Sequence, residues 1–301
     1  MHDCQPVIAR RSLLSELAKT SVTGVASISS AALQLTTVVR AEQIERISED
    51  AGMTPLELVA KDLRPNSLLK ELKRRNSKLK GSMVVASKFG CEISIDTIKR
   101  LLDSEWLNSE LVTFFFEWWA KRIGAGSEQN MPNGEFKCYF SNTYFFSKMV
   151  VDGKFCFKEI SRWTTRIDIF ALDMMLIPIN ETDTHWFLAV INFQMRRMEI
   201  YDSLGSAKSA VIDALFQYIQ DEHRAKKGSD LDISSWSREP ILIRGQRMPH
   251  QTNSYDCGVF TCMFGAYRSI NRPFDFTQID MPRIRAWMMR IICETGGFVC
   301  S

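Results

Sequence analysis

The chain has 301 residues, 45% hydrophobic, 24% charged and 11% aromatic, with a formal net charge of +3. That composition suits a globular protein with a sizeable core, and so small a charge excess argues against a nucleic-acid binder. The 8 cysteines include no CxxC pair and no Cys/His pair at ligand spacing, so no metal site is expected and they read as free thiols.

Residues 1–90 hold no tryptophan and read as a helical or partly disordered extension, with a targeting or regulatory role, ahead of a main domain over 91–301. The uncharged stretch from Thr20 to Val39 approaches the roughly 20 residues of a membrane span, but half of it is Ser, Thr, Gly or Gln, so no membrane contact is expected. Thr54-Pro55-Leu56-Glu57 is a capping box with proline at the first helical position, which predicts a short helix to about Leu63. From Ser67 a basic segment runs through Lys70, Lys73, Arg74 and Arg75 to Lys80. It reads either as a solvated helix face or as a nuclear-import patch.

Ser109 to Arg122 carries an apolar helical face through Leu111, Val112, Phe115, Trp118 and Trp119. Trp106, just ahead of it, reads on sequence alone as packing beside that aromatic-rich helix. Residues 174–179, 186–191, 198–201 and 241–243 read as strands. Helical periodicity recurs over 207–222, 257–270 and 280–293. This mixed order predicts an α+β fold, a central mixed sheet flanked by helices.

Chemistry concentrates where Cys257 meets Gly258 at the start of the apolar run Val259-Phe260-Thr261-Cys262-Met263-Phe264. The unpaired N–H groups and positive dipole end of a helix N-terminus favour a thiolate, and glycine removes a side chain beside the sulfur. A base must come from the 4 histidines. His2 is near a terminus, His223 ends a charged helical stretch, and His250 borders the Cys257 loop. His185 opens a strand, and a hairpin whose loop centres on Phe193-Gln194 sets it directly opposite Asp202. Nucleophile, base and orienting carboxylate are then all present, with Gln251 upstream of Cys257 able to donate to an oxyanion. Taken singly, Cys257 reads as a small buried hydrophobe, His185 as a structural histidine and Asp202-Ser203-Leu204-Gly205 as a turn. Their conjunction favours catalysis.

These residues, with Glu105-Trp106-Leu107-Asn108, Phe140-Ser141-Asn142-Thr143-Tyr144-Phe145-Phe146, Arg162 through Phe170, Thr184-His185-Trp186, Tyr201 through Gly205 and Phe276-Thr277-Gln278, resemble the SUMO-specific cysteine proteases of the Ulp1/SENP type. The likeness runs over roughly residues 91–293. It implies a papain-like fold, in which the order His, Asp, Gln, Cys along the chain shares only the geometry of papain. Cys257 is then the nucleophile, His185 the base, Asp202 its orienter and Gln251 the oxyanion side chain. Trp106 and Trp186 would roof a channel for the diglycine tail of SUMO, and Asn108 would also touch substrate. Family members commonly carry an acidic residue where Ser109 stands. The resemblance further implies hydrolysis after Gly-Gly in SUMO precursors or lysine conjugates without a cofactor, with NEDD8 or ubiquitin as alternative modifiers and an inactive SUMO-binding module as the non-enzymatic alternative. SUMO and its conjugates are the expected partners of a monomer working in the nucleus, with some protein in the cytoplasm.

Overall fold

In the computed structural model, residues 53–62, 67–74, 79–125, 137–206, 208–237 and 248–297 are described. All described residues belong to one compact unit, Met53–Ser301.

A four-stranded sheet forms the centre. Its strands are β3 (Cys138–Phe140), β4 (Met174–Glu181), β5 (His185–Asn192) and β6 (Arg197–Tyr201), adjacent in that order. β3 pairs with β4 in parallel, while β4–β5 and β5–β6 are antiparallel, so the sheet is mixed. All eight residues of β5 are buried, which is why that segment reads as an unbroken apolar run: helices cover both faces. Alternation divides its side chains between two cores. Trp186, Leu188 and Val190 face one cluster, while Phe187, Ala189 and Ile191 face the other.

The first core is closed by α3 (Ser109–Arg122), α5 (Cys257–Ser269) and α6 (Met281–Gly296); the second by α4 (Ser209–Lys227). Gly265 lets α5 approach α3 closely, since a Cβ there would lie 2.5 Å from Phe116 Cε1. A buried ionic network ties α5 to the sheet. Glu199 on β6 accepts from Arg268 Nε at 3.0 Å, Tyr201 Oη at 2.7 Å, Arg197 Nε at 2.8 Å and Asn192 Nδ2 at 2.8 Å. Burial penalises this carboxylate, yet the Arg268 charge and these hydrogen bonds hold its pKa below the usual value. The expected α+β architecture with a mixed sheet between helices is therefore present.

Segments ahead of residue 90 pack against the first core as well. α1 (Pro55–Lys61) starts at the capping box of Thr54 and Glu57, and α2 (Ser67–Lys73) occupies the start of the basic segment. Within that segment Lys73 pairs with Asp103 at 3.3 Å and Arg74 with Glu71 at 2.9 Å. Leu58, Val59, Leu68 and Leu72 are buried in the first core, as are Val85 and Ala86 of β1 (Val84–Lys88). β1 pairs with β2 (Cys91–Ser94), so the boundary expected at residue 90 lies in the turn of a hairpin. The strand expected at 241–243 lies outside the described residues.

Candidate active site

His185 is the first residue of β5, and Asp202 follows the last residue of β6. The register between the two strands differs from the symmetric hairpin read from sequence. Leu188 pairs with Tyr201 and Asn192 with Arg197, which leaves the four-residue loop Phe193–Arg196 and sets Asp202 beside Phe187 rather than His185. The loop is longer because Arg196 takes a left-handed conformation, φ 49°. The difference is two residues, so every side chain keeps its face of the sheet. His185 therefore still reaches Asp202 on the diagonal, within range for long side chains. Its Nε2 lies 2.7 Å from Asp202 Oδ1.

Asp202 is both a turn former and a hydrogen-bond partner of the His185 ring. Its Oδ1 accepts from the Leu204 N–H at 2.8 Å, and its Oδ2 from Ser206 Oγ at 2.6 Å. Gly205, φ +74°, completes the turn by donating its N–H to the Asp202 carbonyl at 2.9 Å. Lys208 Nζ stands 3.7 Å from Asp202 Oδ2. Burial opposes ionisation of this carboxylate, but the hydrogen bonds from His185, Ser206 and Leu204 bring its pKa down to about 2. Burial likewise opposes the His185 cation, yet hydrogen bonds to Asp202 and to the Cys257 side chain, with their charges, raise its pKa to about 9. With Nε2 committed to Asp202, Nδ1 is the nitrogen left for the sulfur.

Cys257 is the first residue of α5, as the apolar run after it predicts, and is 3% exposed. The contact that Gly258 permits is with Leu107, whose Cβ would lie 2.9 Å from a Cβ at position 258. Two segments are held together here by Arg285 of α6, itself 2% exposed. Its Nε donates to Asp256 Oδ1 at 2.7 Å and its Nη2 to the carbonyls of Tyr255 and Glu105, both at 2.9 Å. Nη1 donates to the carbonyls of Arg100 and Leu102 at 3.0 and 3.2 Å. One guanidinium thus fixes the residues before Cys257 against those before Trp106. Nothing in the spacing of Met281-Pro282-Arg283-Ile284-Arg285 distinguishes this arginine from a surface one, and sequence reasoning missed it.

A cavity of about 170 Å³ opens beside the sulfur, lined by Trp106, Leu107, Asn108, Trp186 and Cys257, with Arg100, Ser109, Asn180, Asp183 and Thr184. Trp106 is 41% exposed on its wall, which corrects its reading as core packing. Trp186 is buried, and its indole N–H donates to the Leu107 carbonyl at 2.9 Å. Asn108 reaches the cavity too, but its carboxamide caps α3: Oδ1 accepts from the Leu111 N–H at 3.2 Å, and Nδ2 donates to Glu110. Gln251 lies in the loop before α5 and is 8% exposed. Among the described residues no cluster of His, Cys, Asp and Glu is arranged to hold a metal ion.

An imidazole bonded to a carboxylate, with a cysteine that raises its pKa beside an aromatic-walled cavity, makes an arrangement suited to acyl transfer through a thioester. Residues 105–295 match the Ulp1 protease family, C-terminal catalytic domain. Human Sentrin-specific protease 2 is 30% identical over 206 residues, 68% of this chain and 33% of that protein. A putative ubiquitin-like-specific protease 1B of Arabidopsis thaliana is 33% identical over 199 residues, 64% of this chain and 55% of that protein. The chain thus matches only about a third to a half of the length of these relatives. The solved C-terminal Ulp1 protease domain in complex with Smt3, the yeast orthologue of SUMO, covers 76% of this chain and 92% of its own at 26% identity, with a TM-score of 0.58. With the family match spanning most of the chain, the chain belongs to the Ulp1 protease family.

Proposed function

We propose that this chain hydrolyses the bond following the C-terminal Gly-Gly of SUMO, either a peptide bond in a precursor or the isopeptide bond of a lysine conjugate. The observation that carries the reading is the His185 ring, bonded to Asp202 at 2.7 Å, with the Cys257 side chain also contributing to its raised pKa. The sulfur attacks the glycine carbonyl carbon, and the resulting oxyanion takes hydrogen bonds from Gln251 Nε2 and the Cys257 backbone N–H. His185, held as imidazolium, gives its proton to the leaving amine as the carbon–nitrogen bond breaks. Water, deprotonated by His185, then attacks the thioester and releases the thiolate. No step requires a cofactor.

The choice of modifier rests on two supports. The flat walls of Trp106 and Trp186 leave little room for a Cβ, so a diglycine tail is admitted by exclusion of other residues. The similar Ulp1 domain was solved with Smt3 bound. The test offers the protein SUMO, NEDD8 and ubiquitin, each carrying a C-terminal electrophile. Wild type is expected to form an adduct with the SUMO probe and Cys257→Ser none. No adduct with any probe would sink the mechanism, and an adduct with NEDD8 or ubiquitin alone would reassign the modifier.

A further inference from the structure

A glutamine that stabilises an oxyanion must present its NH2 end, because its carbonyl end would repel the developing charge. Rotation of the amide by half a turn exchanges the two ends at little steric cost, so something outside the side chain has to choose between them. Around Gln251 the choice is made by a carbonyl that can only accept, while a hydroxyl able to donate or accept holds the other end. Gln251 Nε2 donates to the backbone carbonyl of Asn253 at 2.7 Å, a group that can only accept. On the other side Ser203 Oγ donates to Gln251 Oε1, also at 2.7 Å. The amide has one orientation that satisfies both, and it leaves the second hydrogen of Nε2 for a substrate oxygen.

We propose that Ser203 is a positioning residue for the oxyanion donor, acting through Gln251; this rests on the oxyanion reading of Gln251 given above. Ser203 is 1% exposed and touches neither cavity nor sulfur. The backbone couples the same pair, for the Gln251 N–H donates to the Ser203 carbonyl at 3.1 Å. Ser203 directly follows Asp202, whose carboxylate holds His185. A single turn therefore holds both the ring of the base and the amide of the oxyanion donor, and a displacement of that turn would disturb both. In the sequence the serine reads as a turn residue.

The test is a cycle of Ser203→Ala, Gln251→Ala and the double variant, assayed on SUMO joined at its Gly-Gly to aminomethylcoumarin, with thermal unfolding recorded for each. Gln251→Ala is expected to lower kcat by about 100-fold or more, as for loss of one oxyanion donor. Ser203→Ala is expected to lower kcat by about tenfold at nearly unchanged KM, the size of one net hydrogen bond. In the double variant Ser203→Ala should add nothing, because the group it orients is gone. A further tenfold loss in the Gln251→Ala background, or no loss in wild type, overturns the proposal. Wild-type kcat in Gln251→Ala would instead overturn the oxyanion reading, and this inference with it. Should Ser203→Ala fail to fold, Ser203→Cys, nearly isosteric with a weaker donor, is put through the same cycle and read in the same way.

Discussion

The His185 imidazole is the most heavily perturbed group of the site, and its protonation has a sign that can be tested. Its pKa is raised from 6.5 to about 9, so the stabilisation of the folded state is fully present below 6.5 and is lost as pH rises through about 9. Asp202, lowered from 3.8 to about 2, stabilises above 3.8 and loses that contribution as pH falls through about 2. The two windows describe one shared contact and do not add. In Asp202→Asn the ring loses its anionic partner while burial still opposes its charge, so the His185 pKa is expected to fall by at least about one unit. An NMR titration of the ring proton in wild type and variant measures this. Equal midpoints would mean that the carboxylate does not govern the imidazole. Of the side chains at this scale, Cys257 was legible because a glycine and a helix start surround it. Arg285 was not legible, since its burial depends on carbonyls from two distant segments converging on α6.

At the scale of elements, catalysis requires the start of α5 to stay in place against the ends of β5 and β6. The Glu199–Arg268 pair ties the other end of α5 to β6, with Glu199 fully buried and Arg268 5% exposed. Replacing Glu199 by Ala would strand a buried guanidinium, so a loss of about 3–5 kcal/mol in unfolding free energy is expected. Urea denaturation of the variant checks this, and a loss under 1 kcal/mol would show the network to be dispensable. Element identity was readable from periodicity, and α3 and α5 lie close to where the apolar faces put them. The strand register was not, because the left-handed Arg196 lengthens a loop that composition alone leaves undetermined. The His185–Asp202 contact survived the shift because the discrepancy was an even number of residues. A slip of one would have turned Asp202 to the opposite face.

At the scale of the molecule, the first core draws on residues far apart in the chain. Leu58 and Val59 of α1 and Leu68 and Leu72 of α2 share it with Phe115 of α3 and Trp287 of α6. α1 is also tied to the nucleophile helix directly, since the Leu56 N–H donates to Tyr267 Oη at 3.2 Å. A chain beginning at Cys91 would lose α1, α2 and β1 and uncover the side chains they bury. The expected cost is on the order of 5 kcal/mol or more, at roughly 1.5–3 kcal/mol for each large apolar side chain re-exposed. Thermal unfolding of that truncated chain beside the full one decides the matter. An unchanged midpoint would mean these segments rest on the core without contributing to it.

Local chemistry was enough to bring Cys257, His185, Asp202 and Gln251 forward as candidates, because each stands beside a helix start, a strand end or a turn whose signal is short-range. The mixed sheet between helices followed from the same periodicities. Which groups turn the Gln251 amide, clamp the loop before Trp106 and bring that indole to the cavity wall was settled only by folding. Among those contacts, Ser203 meets Gln251 across 48 positions and Arg285 meets Arg100 across 185. No periodicity along the chain encodes a hydrogen bond whose two ends meet only after the helices have packed.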